Sequence, residues 1–202
     1  QARLAARSVT MVYPVPNMDD VSTLFGHSFL RFDRDPAPAV DKSEDYTLNF
    51  AALLKKGTTQ SDLVTKGLTG PLEGIFTVLP YKKKLQDYLQ MEARDIWEYR
   101  LNLTQPETDQ LVRHAWEMHS AHFEYKFFVE NCSYRMLNFL DVARPGLNLH
   151  QYYSFYVIPM DAVETVIGAG LVNNVHYLPS DVSRWSAVAD TLSEEERQQF
   201  RD

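Results

Sequence analysis

A single cysteine, Cys132, is the feature that most constrains how this chain can fold. Because the 202 residues contain no second thiol, no intramolecular disulfide can stabilise the chain, and a buried apolar core must do so instead. The composition suits such a core, since 45% of the residues are apolar and 23% are charged. We therefore expect residues 1–202 to form one domain.

The order of the strand-like and helical segments predicts an α+β fold. Alternating or extended apolar segments predict strands at 11–13, 28–32, 46–51, 75–79, 96–101, 153–157 and 175–178. Helical spacing, with start and stop signals, predicts helices at 82–91, 104–118, 132–143 and 161–167, and a loosely held one after residue 193. Because strands and helices do not strictly alternate, an α+β arrangement is favoured over a parallel α/β one.

The cysteine lies where an apolar segment runs into an amphipathic helix. Unpaired N–H groups and the positive end of the helix dipole at this position favour the thiolate form of Cys132. Free cysteines are also among the most buried residues in proteins, so an inert structural thiol is the alternative interpretation. Helical spacing directs the thiol toward the core, on the same face as Met136, Phe139 and Leu140.

A histidine far upstream offers a base for this thiol. His27 lies at the start of a predicted strand, between Gly26 and Ser28, two small residues that allow another segment to approach closely. Thiol catalysis also needs a group that orients the base, and Asn49 on the neighbouring strand carries a suitable amide oxygen. The competing interpretation of His27 is a hydrogen-bonded structural histidine.

An oxyanion site is the remaining requirement of such chemistry. The backbone N–H of Cys132, helped by the side chain of Asn131 or Ser133, is predicted to supply it, with Ser28 in a supporting role. These residues all lie at the predicted helix start or strand start, so the prediction depends on those two elements meeting.

Several classes of protein are excluded or disfavoured. The net charge of −7 argues against a nucleic-acid partner. No apolar run of about 18 residues predicts a membrane-spanning segment. Three nearby histidines lack the i, i+4 spacing of a helical zinc site, so we predict no metal and no cofactor; they are His114, His119 and His122.

Two other groups of residues receive ordinary interpretations. The basic run Lys82–Lys84 is interpreted as a solvated helix face, with contact to phospholipid headgroups as the alternative. A set of aromatic residues is predicted to belong to the core: Trp97, Tyr99, Trp116, Phe127 and Phe128.

Several motifs together resemble one family of the bacterial envelope, the Lnb N-terminal periplasmic domain family. The resemblance covers about residues 11–178 and leaves 179–202 as a C-terminal extension. The motifs occur in the order of the family: Gly26-His27-Ser28-Phe29-Leu30-Arg31, Asn49-Phe50, Pro80-Tyr81, Arg94-Asp95-Ile96-Trp97-Glu98-Tyr99, Glu130-Asn131-Cys132-Ser133-Tyr134 and Arg144-Pro145-Gly146.

The resemblance implies a circularly permuted papain-like (NlpC-type) fold, in which an antiparallel sheet packs against helices and the cysteine begins a helix. It implies a Cys–His thiol enzyme in the periplasm or cell envelope of a Gram-negative bacterium, with Cys132 and His27 as matching residues. The Asn-Cys helix start is also similar to that of lecithin:retinol acyltransferase. Some relatives carry an aspartate a few residues after Asn49, where this chain has Leu53-Leu54, so Asn49 is retained as the third residue.

Three functions follow as expectations. The first is a thiol acyltransferase or acyl hydrolase, with a phospholipid as acyl donor, a lipoprotein N-terminus as acceptor and a membrane surface as a further partner. The second is a peptidoglycan endopeptidase or amidase that acts on stem peptides. The third is a non-catalytic envelope binding module with a buried, inert thiol.

Overall fold

Seven antiparallel strands form one sheet in the computed structural model, which describes residues 5–17, 26–37, 41–53, 65–66, 70, 72–153 and 155–192. All neighbours in the order β6-β4-β3-β2-β1-β5-β7 run antiparallel, which confirms the α+β prediction. The strands are β1 Ser8–Pro14, β2 Phe29–Asp33, β3 Tyr46–Ala52, β4 Leu72–Pro80, β5 Ile96–Leu101, β6 His122–Tyr125 and β7 Val172–Leu178.

The helices largely follow the predicted pattern. They are α1 Tyr81–Leu85, which continues as a π-helix over Gln86–Met91, then α2 Gln105–Met118, α3 Cys132–Ala143, a 3-10 helix Leu149–Tyr152, α4 Pro159–Gly168 and α5 Asp181–Thr191. Helix α5 and strand β6 were not predicted, because α5 buries no residue and β6 is short and half exposed. The helix predicted after residue 193 lies outside the described residues.

The strand predicted at 153–157 is wrong for the part of it that the structure describes. This segment crosses the start of α3 instead of joining the sheet, and the Val157 N–H donates to the Phe128 carbonyl at 2.8 Å. The Tyr153 hydroxyl donates to the Asp161 carbonyl at 2.7 Å. Phe155 and Tyr156 are exposed while Val157 is buried, so the apolar residues of this segment do not share one face as those of a strand would.

Two apolar cores lie on the two faces of the sheet, as the alternation of side chains along a strand requires. On β2, Leu30 and Phe32 belong to the larger core, which includes buried residues of α2, α3 and α4. Phe29 belongs to a smaller core on the opposite face, where the helical segment after β4 contributes Tyr81, Tyr88 and Leu89.

The prediction that five aromatic residues belong to the core is wrong for most of them. Only Tyr99 is fully buried, whereas Trp97, Trp116 and Phe128 are exposed. Trp116 follows Ala115, the buried residue on the inner face of α2, and so points outward. Trp97 lies toward the edge strand, with its ring 4.8 Å from that of Tyr177.

A polar junction joins the start of α2 to the end of α3. The predicted capping box is present, since the Thr104 N–H donates to the Glu107 carboxylate at 2.7 Å and the Thr104 side chain accepts from the Glu107 N–H. Arg144, directly after α3, donates to both oxygens of Glu107 at 2.6 and 2.9 Å. These hydrogen bonds from Arg144 are the main cause that lowers the pKa of Glu107 to about 2.

This junction predicts a pH-dependent contribution to stability. The folded-state pKa of Glu107 lies below its ordinary value of 4.5, so its stabilisation is complete above that pH and is lost as pH falls toward 2. We expect Arg144→Gln to lower the free energy of unfolding by about 1 kcal/mol at pH 7, since the pair is partly exposed. Urea denaturation from pH 7 to pH 3.5 should show this difference shrinking. Arg113→Gln, which removes an exposed arginine of α2, is the control, and a constant difference across this range would contradict the assignment.

Candidate active site

Helix α3 begins at Cys132, as predicted, and the local sequence explains why. Asn131 adopts an extended conformation at the N-cap, where its side-chain oxygen accepts from the N–H groups of Ser133 and Tyr134 at 3.0 and 3.1 Å. This cap satisfies the second and third N–H groups of the helix and leaves that of Cys132 outside it. The cysteine side chain points into the core and the residue is 3% exposed.

The remaining polar group of Asn131 is also engaged. Its side-chain NH₂ donates to the Phe127 carbonyl at 2.9 Å and to the Val157 carbonyl at 2.6 Å. Both ends of the amide therefore hold the backbone around the helix start. We assign Asn131 to this structural role in place of the predicted oxyanion role, because its donors already have acceptors.

The start of β2 meets the start of α3 at the thiol. Ser28 and Ser133 both act on the Cys132 sulfur in the direction that lowers its pKa, so both lie close to it. The two hydroxyl oxygens lie 2.8 Å apart, and the Ser133 oxygen lies 3.8 Å from the sulfur. The structure thus brings Ser28, Cys132 and Ser133 together, and the residue before Ser28 is His27.

The protonation of the thiol differs from the prediction. Burial raises the pKa of Cys132 above its ordinary value and outweighs the hydrogen bonds from Ser28 and Ser133, which lower it. A charged sulfur is poorly stabilised when water is excluded from it, even at a helix N-terminus. The expectation that the helix start favours a resting thiolate is therefore wrong, and Cys132 rests as a neutral thiol.

A glycine in the left-handed region directly precedes His27 at this end of the sheet. Gly26 has a φ of +80°, which residues with a side chain rarely adopt, and an added Cβ would lie 3.3 Å from the Tyr13 ring. Both observations account for a glycine directly before His27. The His27 ring packs against Phe29, with the ring centres 5.7 Å apart, and the residue retains partial exposure.

His27 rests in the neutral form. Burial is the main cause that lowers its pKa to about 3, and the positive charges of Lys84 and Arg94 act in the same direction. The adjacent Asn49 side chain acts in the opposite direction and raises the pKa of His27. At neutral pH the site therefore contains an uncharged imidazole, which can accept a proton, and an uncharged thiol, which can give one.

Asn49 lies beside His27, but its contact with the ring falls short of a full hydrogen bond. The Asn49 NH₂ donates to the Thr47 hydroxyl at 2.9 Å. The amide oxygen is buried and has no hydrogen bond of normal geometry. An amide oxygen that lacks a hydrogen-bond partner and lies next to an imidazole can accept from the ring N–H and so orient the ring. This role of Asn49 stays a prediction.

Three residues around His27 were not predicted to belong to the site. The Lys84 ammonium lies 5.2 Å from the centre of the Tyr88 ring, and the Arg94 guanidinium lies 4.9 Å from the same ring. Lys84 is half-buried, so the solvated face expected for the basic run applies only to Lys82 and Lys83. The sequence did contain a signal for the contact between Lys84 and Tyr88, because the two residues are one helical turn apart in a predicted helix.

No metal site is evident in the part of the chain that the structure describes. No three His, Cys, Asp or Glu side chains are grouped there to hold an ion. His114 lies 3.2 Å from Glu117 and His122 lies 2.5 Å from Glu73, so each has a carboxylate neighbour.

Among the described residues, no helix has the length and apolar character needed to cross a bilayer.

Comparison with known proteins gives one finding. A family model described as the Lnb N-terminal periplasmic domain matches residues 1–169. No curated protein and no solved structure matches the chain.

Proposed function

We propose, from the premise that this chain belongs to the Lnb N-terminal periplasmic domain family, that it is a Cys–His thiol enzyme that transfers or hydrolyses acyl groups. Family membership gives a periplasmic location. The observation that carries the proposal is the meeting of two elements: the Ser28 hydroxyl lies 2.8 Å from that of Ser133, beside the buried thiol that begins α3, and Ser28 directly follows His27. A nucleophile and a base on two separate elements that meet is the arrangement that thiol catalysis requires.

The proposal includes a circularly permuted papain-like (NlpC-type) fold. An antiparallel sheet packed against helices supports it, as does a cysteine at a helix start. The order of the two residues, with His27 before Cys132, supports the permutation.

The chemistry follows from the neutral pair. The Cys132 sulfur attacks the ester carbonyl carbon while His27 takes the thiol proton, and the tetrahedral intermediate expels the alcohol, which receives that proton from His27. A thioester on Cys132 remains. An amine or a water molecule then attacks the thioester carbonyl, gives a proton to His27, and releases the acyl product as the proton returns to the sulfur.

The developing oxyanion needs donors near the sulfur. The Cys132 N–H, which the Asn131 cap does not use, is the proposed main donor. Ser28 and Ser133 support the thiol, since the Ser133 hydroxyl contacts the sulfur and the Ser28 hydroxyl contacts that of Ser133.

Exposed aromatic residues beside the helix start favour a lipid substrate over a peptide. Tyr152, Phe155 and Tyr156 are 73%, 85% and 61% exposed. Their loop is joined to the helix start by hydrogen bonds from the Asn131 amide to Val157 and from Val157 to Phe128. Aromatic side chains of this kind settle readily at a bilayer interface. The proposed partners are therefore a phospholipid acyl donor, a lipoprotein amine as acceptor, and the membrane surface.

This loop gives a testable prediction. Phe155→Ser combined with Tyr156→Ser should lower acyl transfer from phospholipid vesicles by roughly thirtyfold, because about 2 kcal/mol of apolar contact with lipid is lost. Transfer from a soluble short-chain thioester should be unchanged. Trp116→Ser, which removes an exposed aromatic of α2, is the control. Equal losses on both substrates would argue against a lipid-docking loop.

The function itself is tested by the intact mass of the protein after incubation with phospholipid vesicles. A hydroxylamine-labile increment of fatty-acyl size on the wild type would support acyl chemistry. If the mass increment is absent and the protein cleaves purified sacculi, the acyl-transfer proposal is replaced by the second candidate function, that of a peptidoglycan endopeptidase or amidase.

A binding module with an inert thiol is the third candidate, and the burial of Cys132 favours it. This candidate requires that iodoacetamide alkylate Cys132 only after unfolding. Alkylation of the folded protein that slows when His27 is removed would exclude it.

A further inference from the structure

A cavity of about 370 Å³ lies on the sheet face opposite α2 and α3. Residues of the helical segment after β4 form one wall, and β5, β7 and the start of α5 form another. None of Cys132, His27 and Asn49 lines it. The residues that carry the argument are Arg31, Asp33, Glu98, Arg100, Arg184 and Leu89.

The acidic residues of the floor are already compensated. Arg31 is buried and donates to Asp33 at 2.5 Å and to Glu98. Asp33 also accepts from the hydroxyls of Ser8 and Thr10 at 3.0 and 2.7 Å. Each carboxylate therefore has donors within the protein and presents no unmet negative charge to the cavity.

The Glu98 carboxylate has further donors. The Tyr81 hydroxyl donates to it at 2.6 Å, and a ring nitrogen of His176 lies 3.3 Å from its other oxygen. Asp41 at the rim accepts from the N–H and the hydroxyl of Ser43 at 2.8 and 2.9 Å. All three acids that line the cavity thus have internal partners.

Two of the arginines that line the cavity have fewer partners within the protein than these acids do. The Nε atom of Arg100 is buried and has no hydrogen-bond partner among the described residues. Arg184 lies 3.6 Å from Asp181 and is more than half exposed. Both guanidinium groups line the cavity, and arginine forks match the oxygens of phosphate and carboxylate groups.

We propose that this cavity binds a small organic anion, whose phosphate or carboxylate group contacts Arg100 and Arg184. Leu85, Leu89 and Leu178 line the same cavity and would pack against the carbon part of the ligand. A volume of about 370 Å³ is at the small end of ligand pockets, which suits a small molecule better than a lipid with its acyl chains. This inference is independent of the chemistry at Cys132.

Titration calorimetry of the full chain tests the proposal, with glycerol 3-phosphate and succinate as soluble probes and phosphatidylglycerol vesicles as a lipid probe. We expect saturable one-to-one binding of at least one soluble probe. Arg100→Gln should weaken it roughly tenfold or more, and Arg184→Gln should weaken it severalfold. Arg113→Gln and Cys132→Ala should bind as the wild type does, the latter because the site does not involve the thiol.

Arg184 is exposed, so its variant tests the site even if the Arg100 variant folds poorly. Circular dichroism identifies such a folding defect. The proposal is overturned if neither soluble probe binds saturably, if only the vesicles bind, or if well-folded Arg100→Gln and Arg184→Gln proteins bind with wild-type affinity.

Discussion

Cys132→Ala should abolish the hydroxylamine-labile acyl adduct and lower acyl transfer from phospholipid by roughly 10³-fold or more, the size of effect seen when a nucleophile is removed. Cys132→Ser should behave in the same way, because a hydroxyl is far less acidic than a thiol and His27 is a weak base in this environment. Intact mass spectrometry and initial rates on vesicles measure both effects.

The matched control for these variants is Met136→Leu, which changes a buried side chain one turn along the same face of α3. Its volume is nearly conserved, so we expect full activity. Wild-type rates in Cys132→Ala would disprove covalent catalysis at this residue. Equal losses in Met136→Leu and Cys132→Ala would attribute the effect to the packing of α3.

His27→Gln should lower the rate by roughly 10²- to 10⁴-fold, the usual contribution of a general base. The pH profile carries further information. Because the pKa of His27 in the folded protein is about 3, the wild-type rate should stay level from pH 8 down to pH 5 and not fall with a midpoint near 6.5. In His27→Gln, the residual rate should rise through pH 9 as the thiol ionises unaided, since burial raises its pKa.

The same residue links stability to pH. The folded-state pKa of His27 is depressed from 6.5 to about 3, so above pH 6.5 both folded and unfolded chains hold it neutral. As pH falls from 6.5 toward 3, the unfolded chain takes up a proton that the folded chain excludes, and stability is lost. His27→Gln should therefore lose less stability than the wild type between pH 6.5 and pH 4. An identical acid response in the two proteins would contradict a neutral, enclosed imidazole.

Local patterns in the sequence predicted much of the fold and part of the candidate site. The start of α3 at Cys132 and the capping box at Thr104 depend on residues within one helical turn, and the structure contains both. The alternation along β3 predicted that Thr47 and Asn49 share a face, and both are buried. Helix starts, capping boxes and strand alternation depend only on residues close together in the sequence, so they can be predicted without the tertiary structure.

Other predictions failed where a residue's partners lie far away along the chain. Asn131 carries an NH₂ group that could serve as an oxyanion donor, but this group donates to the Val157 carbonyl, 26 residues away, as well as to the nearby Phe127 carbonyl. The sequence at 153–157 alternates like a strand, yet Val157 donates its N–H to the Phe128 carbonyl just before α3, and Phe155 is exposed. In each case the competing partner or surface became evident only when distant elements were brought together.

The sequence by itself determined the elements, the α+β class, the family resemblance and the two residues proposed for catalysis, because these depend on short-range patterns and residue type. The tertiary structure alone decided the charge state of the pair. Burial raises the pKa of Cys132, and burial together with Lys84 and Arg94 lowers that of His27. Desolvation and Coulomb interactions depend on distance in space, and residues far apart in the chain supply them.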